Sequence, residues 1–337
     1  MPAEIFQQAG FKTAGIWRNG WIAANFGFSQ GFDLYHRPIP DRAEQEKDLP
    51  TNPSNKLEGT DIQSIETALE FFRANNHQRW FLYMHLMDVH QYVYDENSAR
   101  FGTGYADVYD NSILRTNSVL NRLINQMDKR GYLENTLVVF LSDHGEAFGE
   151  HGREGHARDV FGEVTEVPFV IGFPFQLDEG IVIETPSENV DVWPTVLDLL
   201  GLPELPETDG QSRVPEILAA AKGSPLPLDE EEIRYAHIDQ NWGTSSADPR
   251  PTVSVSQGQY RFIYYSDKPD KGHLYDKVAD PAEETNLAAQ DVEVAARMKT
   301  LAENYLELPP PSWGQAELID IDEMQLNQLR ALGYQIP

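Results

Sequence analysis

Apolar positions along the first two hundred residues alternate between two periods. Residues 2–9 have a short amphipathic pattern ended by Gly10, which predicts a helix. Phe11–Trp17 reads as a strand. Asn19–Tyr35 mixes glycine with Phe26, Phe28, Phe32 and Tyr35 without a period, which predicts a packed loop, and residues 36–60, rich in Pro, Asn and charge, read as a surface loop. Asp61 reads as the N-cap of a helix in which Ile62, Ile65, Ala68, Leu69 and Phe72 recur at helical spacing. Trp80–Leu86 is short and mostly apolar, as a buried strand is. Residues 105–130 predict a long helix closing at Gly131, with Ile113, Leu120, Leu123, Ile124 and Met127 as its apolar stripe. Leu137–Leu141 is the strongest strand signal, Val167–Phe173 is another, and residues 189–200 read as a helix with Asp191 near its start. Strands alternating with helices at this spacing predict an α/β core with a mixed, largely parallel sheet flanked by helices.

The pattern then changes. Residues 202–231 are rich in Pro and Glu and read as a linker or long loop. Ile233–Ile238, Thr252–Ser256 and Tyr260–Tyr265 read as short strands, and about 290–306 as a helix. This predicts a smaller C-terminal antiparallel sheet plus helix, with residues 1–215 as the core and 216–337 as a second subdomain.

Composition narrows the function. Of 337 residues, 40% are hydrophobic and 11% aromatic, enough for a sizeable core. Acids outnumber bases 54 to 26, a formal charge of -28. That surface repels nucleic-acid phosphates and anionic lipid, so no nucleic acid is expected as a partner. An anionic substrate needs local cations, which a bound metal supplies. The absence of cysteine excludes disulfides and thiolate metal sites. No apolar stretch has the length of a membrane span, and Met1–Phe6 has no signal-peptide pattern, so a soluble chain is expected.

The candidate chemistry lies at the end of the strand 137–141, which runs directly into Ser142-Asp143-His144-Gly145-Glu146. In open α/β sheets ligands bind at the carboxyl ends of strands. A carboxylate and an imidazole delivered there side by side suit a divalent metal. His151 and His156 follow closely, and a second strand end carries His85, Asp88 and His90. Neutral imidazoles ligate metals, and protonated ones bind anions and donate protons.

Leu141–Glu146 followed by Gly149-Glu150-His151-Gly152 resembles the metal motif of the sulfatases, within the alkaline phosphatase superfamily. Further matches follow in chain order: Phe11–Ala14, Gly27–Asp33, His85–Tyr92, Glu166–Phe169, Asp191–Thr195, Leu274–Asp276, Asp280–Leu287 and Leu329–Tyr334. The resemblance implies an alkaline-phosphatase-like fold and metal-dependent hydrolysis of a sulfuric ester. It implies that Asp143 and His144 bind a divalent metal, calcium in the family; the histidine leaves zinc and manganese open. His90 matches a histidine that contacts the sulfate or the nucleophile region. His156 falls where the family has a lysine or histidine aimed at the sulfate and the leaving oxygen. Either histidine serves as the catalytic acid. His85 and His151 are expected to support or pack. The implied substrate is a small sulfated ester or sulfated glycan.

The family also uses two upstream acidic ligands and a Cys/Ser-x-Pro-Ser/Ala-Arg segment whose first residue becomes the formylglycine nucleophile. This sequence has neither; Thr51–Asn55 is the nearest imitation and reads as a surface turn. The expectation is a chain that begins inside the fold and lacks its own nucleophile, through a late start, a split gene or degeneration. A lost leader would leave a periplasmic or secreted location open. The alternatives are a phosphoryl-transfer relative, a phosphonate monoester hydrolase or phosphoethanolamine transferase, and a non-catalytic binding protein with a sulfatase-like pocket.

Overall fold

The computed structural model describes residues 1–39, 60–175, 180–227, 229–241, 247–309 and Glu323. Thr51–Asn55 and Leu329–Tyr334 lie outside the described residues. Two compact units emerge among the described residues, one from residues 1–137 and 193–209, the other from 138–192 and 210–309.

In the first unit, helix α1 (Pro2–Gln8) has proline at its first helical position, where the missing N–H costs nothing. Its Phe6 stacks on Phe81 with ring centroids 4.1 Å apart. Strand β1 (Lys12–Ile16) is the centre of a three-stranded parallel sheet in the order β2-β1-β3. Ala14 pairs with Leu34 of β2 (Leu34–His36) and with Leu82 of β3 (Trp80–Met84). The stretch expected as loop therefore ends in an edge strand. Three residues are too few to display an alternation, so the sequence pattern missed it.

Helix α2 (Asp61–Ala74) is capped by Thr60, not by Asp61: the Thr60 hydroxyl accepts the Ile62 N–H at 3.3 Å, and Gln63 Oε1 accepts the Thr60 N–H at 2.7 Å. Asp61 sits inside the helix and is fully buried. Helix α3 (Tyr105–Lys129) buries Asn111, Arg115, Val119, Leu123 and Met127, whereas Ile113 and Ile124 of the expected stripe face outward, 44% and 36% exposed. Ala14 and Ile16 of β1, Ile65, Ala68, Phe71 and Phe72 of α2, and Val119, Leu123 and Met127 of α3 form one core.

In the second unit, β4 (Val138–Leu141) runs into a hairpin of β5 (Ala147–Phe148) and β6 (Glu154–Gly155), then into the single turn α4 (Gly162–Thr165). Strand β7 (Phe169–Gly172) pairs antiparallel with β4, Phe140 facing Val170. A 3-10 turn, Asn189–Asp191, precedes α5 (Val192–Leu199), which from Trp193 on belongs to the first unit. The expected linker holds a helix, α6 (Val214–Ala221), and is pinned rather than slack. Buried Arg213 donates to Asp191 Oδ2 at 2.7 Å and to Glu232 Oε1 at 2.5 Å. The C-terminal sheet is antiparallel in the order β11-β10-β9-β8, from β8 (Ile233–Asp239), β9 (Pro251–Gln257), β10 (Tyr260–Tyr265) and β11 (His273–Asp276). Helix α7 (Val292–Glu307) packs Met298 and Ala302 against Val253, Val255, Phe262 and Leu274. Ile263 and Tyr275 pack on Val160 and Phe161. The fold is thus α/β, with parallel pairing in a three-stranded sheet flanked by helices and a C-terminal antiparallel sheet plus helix that, with four strands among the described residues, is not the smaller of the two. No described helix is long and apolar enough to cross a membrane.

Candidate active site

β4 delivers Asp143 and His144 just past its last pair. The Ser142 N–H still bonds to the Pro168 carbonyl at 3.3 Å, and the Ser142 hydroxyl then donates to the His144 carbonyl at 2.7 Å, which turns the chain. Asn189 Nδ2 donates to the Ser142 and Asp143 carbonyls, both at 3.2 Å, and fixes the strand end. Gly145 presses against the α4 turn. Its N–H bonds to the Val164 carbonyl at 2.8 Å, and a Cβ there would lie 2.1 Å from the Glu163 carbonyl oxygen. Only glycine lets the backbone come this close.

The side chains that result have donors suited to a metal. The Asp143 carboxylate is 74% exposed. His144 Nδ1 lies 2.9 Å from the Gly145 carbonyl, which can only accept, so Nδ1 carries the proton and Nε2 keeps its lone pair. That Nε2 lies 3.9 Å from Asp143 Oδ2, a span that two bonds of about 2.0–2.6 Å to one cation can bridge. The residues present therefore fit a divalent metal with one nitrogen and one oxygen donor.

The ring of His156 stacks on His144 with centroids 4.1 Å apart. Its Nδ1 is 2.9 Å from Glu146 Oε2, and the Glu146 side chain is only 6% exposed. The buried carboxylate holds the Nδ1 proton, fixes the ring's orientation and presents Nε2 on its other edge. Glu146 is part of the sequence motif, but no local signature announces its bond to a residue ten positions on.

His151 packs. It adopts φ 51°, its ring lies flat on Phe161 at 3.8 Å, Nδ1 faces Glu163 Oε1 at 2.8 Å, and Nε2 faces the Glu283 carbonyl at 3.0 Å. Both partners are acceptors, so both nitrogens are protonated. Burial disfavours that charge, but Glu163 and the Glu283 carbonyl outweigh it, and the pKa of His151 is raised. Glu283 is itself buried, its carboxylate taking the Gly162 N–H at 2.9 Å and Arg261 Nη1 at 3.0 Å.

His90 belongs to the first unit, on the turn that follows β3. An ion cluster builds that turn. Arg18 Nη1 bonds to Asp61 Oδ1 at 2.7 Å and to Asp88 Oδ1 at 2.5 Å, Arg18 Nη2 donates to Gln91 Oε1 at 2.9 Å, and Arg115 bonds to Asp88 Oδ2. Asp61 also accepts the Met87 and Asp88 N–H groups, at 3.0 Å and 2.8 Å. Two guanidiniums thus meet two carboxylates, and the backbone on both sides of His90 is held. Asp88, one of the acids at this strand end, is a structural ion-pair partner with no exposed surface. His85 bonds through its N–H to the Ile16 carbonyl at 2.9 Å, continuing the β1–β3 pairing.

Similarity to known proteins agrees with this arrangement. Residues 149–308 match the family model described as N-sulphoglucosamine sulphohydrolase, C-terminal. The chain is 28% identical over 197 residues to an N-acetylglucosamine-6-O-sulfatase of Bacteroides thetaiotaomicron, covering 58% of this chain and 34% of the relative. It is 33% identical over 173 residues to a choline-sulfatase of Rhizobium meliloti, covering 50% and 30%. These matches span about a third of each relative's length. One similar solved structure is a complex with the substrate D-glucosamine-2-N,6-O-disulfate, with a TM-score of 0.65 at 18% identity over 91% of this chain and 81% of that one. Another is the phosphonate monoester hydrolase of Agrobacterium radiobacter, with a TM-score of 0.64 at 18% identity over 90% and 79%. At such identities the structures speak for the fold. The family itself is shown by the match of residues 3–202 to the model described as Sulfatase, which spans the strand end carrying Asp143 and His144: this chain belongs to the sulfatase family.

Proposed function

We propose that this chain carries the metal-binding and leaving-group side of a sulfatase active site acting on a small sulfated ester or sulfated glycan. The observation that carries this reading is His144 Nδ1 lying 2.9 Å from the Gly145 carbonyl, with Nε2 on the other edge of the ring 3.9 Å from the Asp143 carboxylate. Asp143 and His144 hold a divalent cation, which when bound draws charge from the sulfate oxygens. Calcium is the family's metal, and the nitrogen donor makes manganese and zinc the comparators. His156, its Nδ1 proton held by Glu146, offers Nε2 to the leaving oxygen and gives up a proton there. His90 contacts the sulfate from its braced turn. The glucosamine disulfate bound in one structure of similar fold supports a sulfated sugar.

Asp143 and His144 alone supply two ligands, fewer than the about 6–8 oxygens that calcium takes. Calorimetry of the chain with calcium, manganese and zinc should therefore show binding weaker than about micromolar, lost in Asp143→Asn and His144→Ala. Binding that is tight, or unchanged in both variants, would overturn the assignment. Turnover is compared for the chain alone and for the chain joined to the nucleophile-bearing segment of a relative. Aryl sulfate, aryl phosphate and phenylphosphonate esters are the substrates. The joined protein should prefer the sulfate ester. A preference for the phosphonate ester would favour the second reading, which the likeness to a phosphonate monoester hydrolase and the Asp-His donor pair motivate.

A further inference from the structure

The first unit contains a cavity of about 310 Å³ between α2, α3 and the loop 95–102, sharing no residue with the assigned metal and leaving-group residues. Its walls carry three arginines, Arg100, Arg115 and Arg122, against one acid, Asp95, in a chain whose acids outnumber its bases two to one. Ile62 and Leu114 give it apolar surface, and Ser118 a hydroxyl.

The loop is built, not slack. Asp95 Oδ1 accepts the Asn97 and Ser98 N–H groups at 2.9 Å and 3.1 Å. Asn111 of α3, fully buried, fastens the loop with three bonds: its Oδ1 accepts from Arg100 N at 2.9 Å and Phe101 N at 3.0 Å, and its Nδ2 donates to the Gly102 carbonyl at 3.0 Å. Arg100 Nε is tied to the Asn97 carbonyl at 2.9 Å, which orients the guanidinium plane; its two terminal nitrogens have no partner among the described residues. Arg115 is buried, with Nη1 on Asp88 and Nε 3.6 Å from Asp95. Arg122 is half-exposed and engages only Glu66 among the described residues, through Nη2 at 3.0 Å. Such an exposed pair is worth little and yields readily to a better anion.

Fixed guanidinium forks recognise planar or tetrahedral oxyanions by paired N–H bonds. An apolar wall and a hydroxyl beside them suit the mixed C–H and O–H faces of a sugar, and the volume is at the low end for small-ligand pockets, about 300–1,000 Å³. We propose that this cavity is a binding subsite for a monosaccharide unit bearing an oxyanion, a sulfate or phosphate ester. The subsite offers guanidinium N–H donors, those of Arg100 and Arg122 foremost, to an anionic sugar that the overall charge of -28 repels. The proposal goes beyond the sulfatase reading and stands without it.

The test is calorimetry on the full chain carrying Asp143→Asn and His144→Ala, so that the metal corner contributes nothing. The probes are glucose 6-sulfate, glucose 6-phosphate and glucose. Glucose 6-sulfate should bind and glucose should not. Arg100→Ala with Arg122→Ala should weaken the sugar sulfate at least about tenfold, and the paired lysine variant should restore part of it. The ratio of the two sugar esters tells sulfate from phosphate as the anion source. Binding of glucose equal to that of its sulfate, insensitivity to the double alanine variant, or no binding at about 10 mM would overturn the proposal. Because the readout needs no turnover, its failure and that of the sulfatase reading are distinguishable.

Discussion

His151 shows how a residue's surroundings decide its use. The sequence places it three residues after Phe148 in a histidine-rich stretch, and spacing alone left it between chemistry and packing. Both of its nitrogens are occupied by acceptors, and its ring covers Phe161, so it supports the hairpin that follows Asp143 and His144. A raised folded pKa means that its contribution is complete below the unfolded value of 6.5 and is lost as pH rises through the folded pKa. The melting temperature of the native chain should therefore exceed that of His151→Gln most near pH ~6, and the gap should narrow by pH ~8.5. A gap that widens toward alkaline pH would refute the imidazolium assignment. The position of Asp143 and His144 just past a strand end was legible because strand and motif are contiguous. Glu146 with His156, and Asn189 with the strand-end carbonyls, were not, because pairings across ten and 46 positions leave no periodic trace.

At the scale of elements, long apolar runs were legible and short or polar ones were not. β3 and β4 announce themselves through four or more apolar residues, whereas β2 has three residues and α6 lies in a Pro- and Glu-rich stretch with no buried residue. The cap of α2 was misplaced by one position because Thr60 and Asp61 are both capping types; what separates them is tertiary. Asp61 is drawn inward by Arg18 and by the N–H groups of Met87 and Asp88. The turn bearing His90 thus depends on a buried cluster with no formal net charge. Asp88→Ala leaves Arg18 and Arg115 facing an apolar interior with one carboxylate fewer, which should cost about 3–5 kcal/mol in urea unfolding. A loss below about 1 kcal/mol would show that the cluster does not brace the turn.

For the whole molecule, a net charge of -28 is a repulsion that folding must overcome. Screening shortens from about 30 Å at 0.01 M ionic strength to about 10 Å at 0.1 M, so sodium chloride should raise the melting temperature by a few degrees over that range. A fall in melting temperature would mean that short-range pairs such as Arg213–Asp191 outweigh the long-range repulsion. The second unit is assembled from residues 138–192 together with 210–309, so the C-terminal sheet and the strand end carrying Asp143 and His144 belong to one compact unit.

Glu283 makes that unity concrete. Its carbonyl holds His151, 132 positions earlier, and its carboxylate holds the Gly162 N–H, 121 positions earlier. In a survey of natural variants a change at Glu283 would look like a remote surface-turn substitution. Its phenotype should instead group with lesions at Asp143 and His144, since the hairpin that follows them is anchored from there.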